Sequence, residues 1–405
     1  MKLSFKHTKY SCYLAYVTSA VINNLAALLF VQFSKQYGLA LSQLSFIITM
    51  NFAFQIVVDL IGAKYADKIG YRTIVRLSQV FGALGLVGLG IFPRIFPSAY
   101  AGIITAAVIY AIGSGLTEVV ISPIVEALPG DEKASAMSML HSFYCWGHVF
   151  AVVVSTGFFY VFGIQNWSIL CCLWAIIPII TFVLFKFVPI NQLESGAEEG
   201  HSGLGKLFSV KIIWLFLILM ICSGAAEQSM AQWASFFAET ELGVSKQVAD
   251  LLGPCLFAIC MGVTRVFFGI FGEKLNMKAS LFASGILCII SYLIAAFVPY
   301  SGLSFAGCAI CGVAVGLMWP GTLSLASSIY PAGGTAMFAI LALAGDAGCF
   351  IGPETVARAS SAVSGAVSSV KTGLAFAIVF PLIIALVCGV LFFSKSKKGA
   401  SVSDK

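Results

Sequence analysis

The chain has 405 residues, of which 60% are hydrophobic and only 10% charged, and its mean hydropathy is +0.99. This composition excludes an ordinary soluble globular protein, because such proteins carry about 25% charged residues. The net charge of +6 does not indicate nucleic-acid binding. The basic residues lie at or near the short segments that separate long apolar blocks, so they form no single basic patch.

The apolar residues form twelve long blocks, each able to cross a hydrocarbon core of about 30 Å as a helix. The first six lie at 12–34, 43–63, 72–92, 99–123, 135–162 and 167–189. The second six lie at 210–236, 247–271, 279–299, 302–325, 334–357 and 371–393. Strands of a membrane β-barrel are about 10 residues long and alternate polar with apolar residues, and these blocks do neither. We therefore predict an all-α membrane protein with 12 transmembrane helices.

The basic residues are divided unevenly between the two sides that these helices connect. If both termini lie in the cytoplasm, 18 of the 23 Lys and Arg residues fall on the cytoplasmic side and 5 on the outer side. Cytoplasmic loops of membrane proteins carry this excess of positive charge. We expect a multi-pass, monomeric protein of the plasma or inner membrane, surrounded by lipid bilayer, with both termini in the cytoplasm.

Two loops repeat one pattern at a distance of 206 residues. The loop after the second block reads AKYADKIGYR at 63–72, and the loop after the eighth reads GIFGEKLNMK at 269–278. In both, an acidic residue is followed by Lys, then by Gly or Asn, then by a basic residue. A repeat in register is typical of transporters built from two similar halves. From these loops we expect Asp67, Arg72 and Glu273 to act in gating or in contacts between the halves.

The repeat divides the chain into two halves of six helices. We expect an N-terminal bundle at 1–190, a cytoplasmic linker at 191–208 and a C-terminal bundle at 209–405. The 206-residue shift also relates Arg265 to Asp59. Because both lie near cytoplasmic helix ends, we expect gating or pairing between the bundles from these two residues.

Carboxyl groups inside predicted helices include Glu118 in the fourth, Glu227 in the seventh and Asp346 in the eleventh. An ionisable side chain in hydrocarbon is costly unless it lines water or has a partner, so it marks a candidate functional site. Loss of water favours a protonated carboxyl, which can take up a proton on one side and release it on the other. We therefore expect proton coupling from these residues. A salt-bridged structural role is the alternative for Glu118.

Amide, imidazole and aromatic side chains also interrupt the apolar blocks. Asn51 and Gln55 are four residues apart and share one helix face. Amides and rings suit a hydroxyl-rich ligand, through paired hydrogen bonds and stacking. Hydrogen bonding between helices of one bundle is the alternative. The substrate-binding candidates are Asn23, Asn24, Asn51, Gln55, His141, Tyr144, Gln228, Gln232, Trp233 and Trp319.

The loop at 63–72 resembles the signature of the major facilitator superfamily, Gly-x-Leu-Ala-Asp-Arg-x-Gly-Arg-Lys. The matching residues are Asp67, Lys68, Gly70 and Arg72, whereas Ala63 and Tyr65 replace the first Gly and the Leu of the signature. This resemblance implies two six-helix bundles that rock around a central site, which opens alternately to each side of the membrane.

Several helices are similar to those of the fucose permease branch of this superfamily and of related hexose–proton symporters. The first helix reads NNLAALLFVQF at 23–33, and the fourth carries Glu118. The branch has an Asp in helix one that is thought to act in substrate recognition or proton transfer. This chain has Ala27 there, and Glu227 or Asp346 could supply the missing acid.

We expect a secondary active transporter that moves a small polar solute, a sugar or sugar-like molecule, in symport with protons by alternating access. Efflux of drugs or metabolites is the alternative, and a membrane sensor or channel is a further one. The sequence has no HExxH, GxSxG or P-loop motif, so we expect no enzyme and no ATP-driven transport. We interpret Cys308 and Cys311 as buried packing residues, and we expect no metal and no cofactor.

Overall fold

A computed structural model of the chain describes residues 3–129, 133–191, 204–298, 300–330, 334–362 and 369–399. Within these ranges the described side chains exclude those of 63–64, 67, 133–138, 204–206, 273, 334–336 and 394–399. The described residues form α-helices joined by short turns, with brief 3-10 and π-helical segments and without a β-strand.

The α-helices run over Phe5–Leu28, Phe30–Tyr37, Leu41–Ile69, Tyr71–Ile95, Ala99–Glu126, Lys133–Phe162, Trp167–Trp174, Ile176–Phe187, Leu204–Ser209, Lys211–Glu241, Lys246–Asp250, Leu256–Phe271, Met277–Phe297, Ser301–Ile329, Gly334–Ala362, Val370–Ala377 and Val379–Gly399. Two 3-10 segments lie at Ile164–Asn166 and Gly272–Lys274, and a π-helical segment lies at Leu251–Cys255. Broken helices therefore occur in the first, sixth, eighth and twelfth apolar blocks.

Twelve helical stretches of the described chain are long and apolar enough to cross a membrane, which confirms the predicted fold. We number these spans 1 to 12: Phe5–Leu28, Leu41–Gly62, Tyr71–Ile95, Ala99–Glu126, Met139–Phe162, Ile164–Phe187, Lys211–Glu241, Lys246–Phe271, Met277–Phe297, Ser301–Ile329, Met337–Ala362 and Val370–Phe393. We call the side on which span 1 begins the inner side, and the opposite one the outer side.

Spans 1 and 8 illustrate how the structure differs from the predicted blocks. The first helix begins at Phe5, before the apolar block at 12–34, because its backbone hydrogen bonds continue through polar residues that hydropathy leaves out. In span 8, Pro254 lies inside the π-helical segment. Proline lacks an N–H, and its ring collides with the carbonyl four residues earlier, so the widened turn accommodates it.

The two repeated loops turn differently. Gly70 separates the helix Leu41–Ile69 from the next one and has a φ of 89°, a conformation that side chains disfavour. In the second copy Asn276 stands at the corresponding position with a φ of −73°. Its side-chain oxygen instead accepts a hydrogen bond from the N–H of Ala279 at 3.3 Å and caps span 9. Gly and Asn thus serve the same turn by different means.

Spans 7 and 11 approach each other so closely that glycine is required between them. A Cβ atom at Gly224 would collide with the carbonyl oxygen of Gly345, and one at Gly348 with the carbonyl oxygen of Ile221. Small residues allow this backbone approach between membrane helices, where van der Waals packing drives association. The contact fixes the helix that carries Asp346 against the helix that carries Glu227.

Spans 1 to 6 and spans 7 to 12 repeat one packing pattern. Span 1 packs on span 5, and spans 2 and 3 pack on span 4; correspondingly, span 7 packs on span 11, and spans 8 and 9 pack on span 10. The two groups meet mainly along three helix pairs, span 1 with 7, span 2 with 11 and span 5 with 8. Residues on these spans therefore form most of the contact between the two groups.

Candidate functional site

A network of amide side chains connects spans 1, 2 and 5. The Asn23 side-chain oxygen accepts hydrogen bonds from Asn51 Nδ2 at 2.9 Å and Gln55 Nε2 at 3.0 Å. Its Nδ2 donates to the Tyr144 hydroxyl at 3.3 Å. These amides are buried, and buried polar groups are stable only with such partners. Four of the predicted substrate-binding residues therefore belong to one network.

The amide network continues into the second group of spans. Gln232 Nε2 donates to the backbone carbonyl of Asn23 at 3.0 Å and to Gln228 Oε1 at 2.8 Å. Both glutamines lie on span 7, one helical turn apart. Asn51 Oδ1 is buried and has no described partner, so one acceptor of the network is free for a donor from a ligand. The network thus joins the two groups of spans at mid-depth.

Asn24 and Trp233, two further predicted substrate-binding residues, make no hydrogen bond to the described residues of this network. Asn24 donates back to the carbonyl of Ala20 in its own helix at 2.9 Å. Trp233 is fully buried, donates to the carbonyl of Pro353 at 3.2 Å, and packs its ring against Phe30 with 5.4 Å between centroids. It therefore acts in packing in this conformation, with no face free for a ligand.

Trp319 and His141 lie nearer to the carboxyl groups. Trp319 is partly buried, and its ring lies where a side chain at Gly345 would be, directly before Asp346 in the chain. His141 is exposed, and its ring meets that of Tyr16 edge-on with 5.7 Å between centroids. Both rings are thus accessible, unlike that of Trp233.

Glu118 has a phenol as its partner. The Tyr16 hydroxyl donates to Glu118 Oε2 at 2.9 Å, which links spans 1 and 4. Tyr16 was missed by the sequence analysis. It lies seven residues before Asn23, two helical turns away on the same face, and this spacing is the signal that could have identified it.

Three carboxyl groups from both groups of spans lie close enough for their charges to interact: Asp59, Glu118 and Asp346. Asp59 Oδ1 is buried without a hydrogen-bond partner. Among the described side chains, no Lys, Arg or His lies within ion-pair distance of these three carboxyls. Like charges that interact away from water cannot all remain ionised at low cost, so the cluster is suited to holding a proton.

Glu227 differs, because a guanidinium neutralises it. Arg265 Nη2 lies 2.9 Å from Glu227 Oε2, and both side chains are largely buried. Arg265 Nη1 also lies 3.4 Å from Cys145 Sγ on span 5. We expected Arg265 and Asp59 to act in gating or pairing between the bundles. In this structure Arg265 forms its ion pair within its own group of spans and contacts the other group through Cys145. Asp59 lies on span 2, which packs on span 11.

Of the three loop residues that we expected to act in gating or in contacts between the halves, Arg72 has a described side chain. Arg72 donates to the carbonyls of Phe185 at 2.7 Å and Val188 at 2.8 Å. It thereby caps the end of span 6 in its own group of spans, where free carbonyls favour a cation. The side chains of Asp67 and Glu273 lie outside the described residues.

Hydrogen bonds also connect the outer ends of the two groups. The Ser45 hydroxyl donates to Glu354 Oε2 at 2.6 Å between spans 2 and 11. The Thr156 hydroxyl donates to Asp250 Oδ2 at 3.1 Å between spans 5 and 8. The sequence analysis missed both pairs. Asp250 and Glu354 are carboxyls within spans, the same feature that identified Glu118, and could have been found in the same way.

Asp250 is held by further polar partners near the outer end of span 8. Lys246 Nζ lies 2.5 Å from Asp250 Oδ1 and 3.2 Å from Glu239 Oε1, and Ser235 donates to the same carboxylate at 2.5 Å. Asp250 is fully buried. The bond from Thr156 therefore ends on a fixed carboxylate that accepts bonds from three side chains.

Comparisons with known proteins give one family and one fold. The family model described as Major Facilitator Superfamily matches residues 12–353, and no curated protein sequence matches the chain. The fold resembles the E. coli fucose:proton symporter FucP at 16% identity and a TM-score of 0.64, covering 94% of this chain and 97% of that chain.

Two further solved structures share the fold. One is a D-xylose-proton symporter, at 16% identity and a TM-score of 0.78, with 95% of this chain and 97% of that chain covered. The other is the nucleoside transporter NupG, at 12% identity and a TM-score of 0.77, with 95% and 99% covered. At these identities the likeness is one of fold.

Proposed function

Because this chain belongs to the major facilitator superfamily, and is thus a multi-pass membrane transporter, we propose that it carries a sugar or sugar-like solute together with protons. Two bundles, 1–190 and 209–405, rock about the amide network and expose it to one side at a time. The segment 191–208 links them, and the inner side, where both termini lie, is the cytoplasm. The uncompensated carboxyl cluster is the observation on which this proposal rests most.

The amide network supports a hydroxyl-rich substrate. It offers carbonyl and amino groups at fixed positions from both bundles, including the unpaired Asn51 Oδ1. A solute whose hydroxyls replace these internal hydrogen bonds can bridge the bundles without leaving buried groups unpaired. The similar folds named as fucose, xylose and nucleoside transporters also handle molecules with several hydroxyls.

The carboxyl cluster supports proton coupling. Glu118 has a hydroxyl donor in Tyr16 and two carboxyl neighbours in Asp59 and Asp346. One proton reduces the repulsion within this group, and its loss restores the repulsion. Since Asp346 belongs to the other bundle, the repulsion depends on how the bundles are arranged. A bound proton therefore stabilises one arrangement of the bundles more than the other, which links proton binding to bundle movement.

The bonds at the outer ends support an inward-facing arrangement. Ser45–Glu354 and Thr156–Asp250 close the outer side on both flanks of the interface. His141, close to the inner end of span 5, is exposed. Opening to the outside requires both hydroxyl–carboxylate bonds to break, and a bound solute and proton offset that cost.

Purified protein in proteoliposomes with an imposed pH gradient tests the proposal. We expect gradient-driven accumulation of a sugar or nucleoside in the wild type. Glu118→Gln should abolish accumulation and retain solute counterflow, because exchange needs no net proton movement. Glu126→Gln, in the same helix at an exposed position, is the matched control and should accumulate solute normally. Accumulation by Glu118→Gln at the wild-type level, or uptake that ignores the gradient, would contradict proton coupling.

A further inference from the structure

An apolar crevice lies between spans 8 and 9, away from the amide network. It has a volume of about 540 Å³, and span 10 forms its floor. Its walls include Val263 and Phe267 of span 8 and Ala283 and Leu287 of span 9. Spans 8 and 9 both pack extensively on span 10 and make few contacts with each other. The crevice therefore separates two helices that protein side chains do not join.

The crevice opens on the circumference of the helix bundle, between the two ends of the spans. Val263 is 55% exposed and Phe267 50% exposed, and both lie within a membrane span. Such a surface faces hydrocarbon in the bilayer. Water does not fill an apolar cavity stably, so the chains of membrane lipids are the molecules available to occupy it.

The dimensions of the crevice suit one lipid chain of one leaflet. Its wall on span 8 runs from Ile259 to Phe268, a rise of about 13 Å along the helix. Half of a hydrocarbon core of about 30 Å is about 15 Å. The crevice also reaches Leu275 in the loop between spans 8 and 9. It thus extends from mid-depth to the inner surface of the membrane.

Positive charge lies at the inner end of the crevice. Lys274 lies directly before Leu275 in the connecting loop, and Lys278 lies in the first turn of span 9. Among the described side chains, no carboxylate forms an ion pair with either lysine. The side chain of Glu273, the acid in this loop, lies outside the described residues, and the loop's formal charge stays positive with it included. An apolar crevice that ends at two lysines is complementary to an anionic lipid.

We propose that this crevice binds an anionic phospholipid, with one acyl chain between spans 8 and 9 and the phosphate group against Lys274 and Lys278. The long stems of lysine allow the ammonium groups to reach headgroup level. Anionic lipids attract basic segments next to membrane helices. The bound lipid replaces missing contacts between spans 8 and 9, and so stabilises the helix that carries Arg265.

Lipid binding to delipidated protein in a neutral detergent tests this site without any transport assay. Phosphatidylglycerol and phosphatidylcholine with identical chains are compared by thermal unfolding, since a ligand of the folded state raises its Tm. We expect phosphatidylglycerol to bind about thirtyfold more tightly, which corresponds to about 1 kcal/mol for each lysine. Lys274→Gln/Lys278→Gln should remove this preference. Lys186→Gln/Lys211→Gln, at exposed positions on other spans, should retain it.

A second variant and a soluble probe separate the parts of the site. Ala283→Phe should fill the crevice and reduce binding of both lipids, which native mass spectrometry measures even if unfolding changes. Glycerol 3-phosphate alone should not raise the Tm; stabilisation by it would assign the lysines to a free phosphate and overturn the lipid site. Equal binding of both lipids, or equal loss of preference in the two lysine pairs, would also overturn it.

Discussion

Glu118 and Glu227 are the same side chain within spans of the two halves of the molecule, but their surroundings differ. Glu227 lies 2.9 Å from the guanidinium of Arg265. Glu118 has the Tyr16 hydroxyl and two further carboxyls as neighbours, with no described cation in ion-pair distance. The presence of a cationic partner, and not the position within a span, therefore distinguishes the two carboxyls.

This difference divides the proposed transporter into two functional regions. We propose that the cluster of Asp59, Glu118 and Asp346 is the region in which charge changes during transport. The Glu227–Arg265 pair forms within the second half and contacts the first half through Cys145. We therefore propose Glu118 and Asp346 as proton-coupling residues and the Glu227–Arg265 pair as a structural element of the bundle interface.

Removal of the guanidinium should have the largest effect on stability. Arg265→Met leaves the buried Glu227 carboxylate without a counter-charge, which costs about 3–5 kcal/mol for a broken buried ion pair. Thermal unfolding in detergent should show a markedly lower Tm. Glu227→Gln in the same chain should restore most of the loss, because it removes the unpaired charge. If Arg265→Met alone is as stable as the wild type, Glu227 does not depend on its cationic partner and does not differ from Glu118 in this respect.

Truncation of Asn23 should have the next largest effect. Asn23→Ala removes three side-chain hydrogen bonds to Asn51, Gln55 and Tyr144, so we expect a loss of about 2–3 kcal/mol in unfolding free energy. The neighbour Asn24 bonds only within its own helix, and Asn24→Ala should cost less. If the two variants lose equal stability, the amide network is not a cooperative unit.

Loss of one outer bond should shift the balance between arrangements. Ser45→Ala removes the hydroxyl that donates to Glu354, and a hydrogen bond to a charged group contributes about 1.5 kcal/mol. We expect roughly tenfold more of the outward-open form, seen as faster hydrogen exchange at the outer ends of spans 2 and 11. Thr49→Ala, whose hydroxyl bonds within span 2, is the control. Unchanged exchange in Ser45→Ala would argue against an outer closure there.

The smallest effect on stability is expected at Glu118 itself. Glu118→Gln keeps an oxygen that accepts from Tyr16 and removes charge from a crowded cluster, so the unfolding free energy should change by less than about 1 kcal/mol. Thermal unfolding checks this directly. Destabilisation comparable to that of Arg265→Met would indicate a cationic partner for Glu118 and place both carboxyls in one class.

The sequence predicted the helices well, because hydropathy over about 20 residues reports directly on the ability to cross a membrane. It also selected Asn23, Asn51, Gln55 and Gln232, since polar side chains in hydrocarbon are conspicuous. It could not assign partners. Helices that are distant in the chain bring Tyr16 to Glu118 and Arg265 to Glu227, and no local pattern encodes which helices meet.

Symmetry was informative only in part. The 206-residue repeat located corresponding helices and related Asp59 to Arg265, but it could not show which residues these two would meet. Corresponding helices in the two halves lie at opposite ends of the interface, beside spans 11 and 5 respectively, so symmetry-related residues are separated. The role of Trp233 was likewise not predictable from its own helix, because its ring packs against Phe30 from the other half.

Proton movement on addition of solute tests the central claim most directly. A pH electrode in a weakly buffered suspension of proteoliposomes records whether solute entry removes protons from the medium. We predict alkalinisation with the wild type and with Arg265→Met/Glu227→Gln, and none with Glu118→Gln that still shows counterflow. Alkalinisation by Glu118→Gln equal to the wild type would contradict the assignment of the transported proton to the carboxyl cluster.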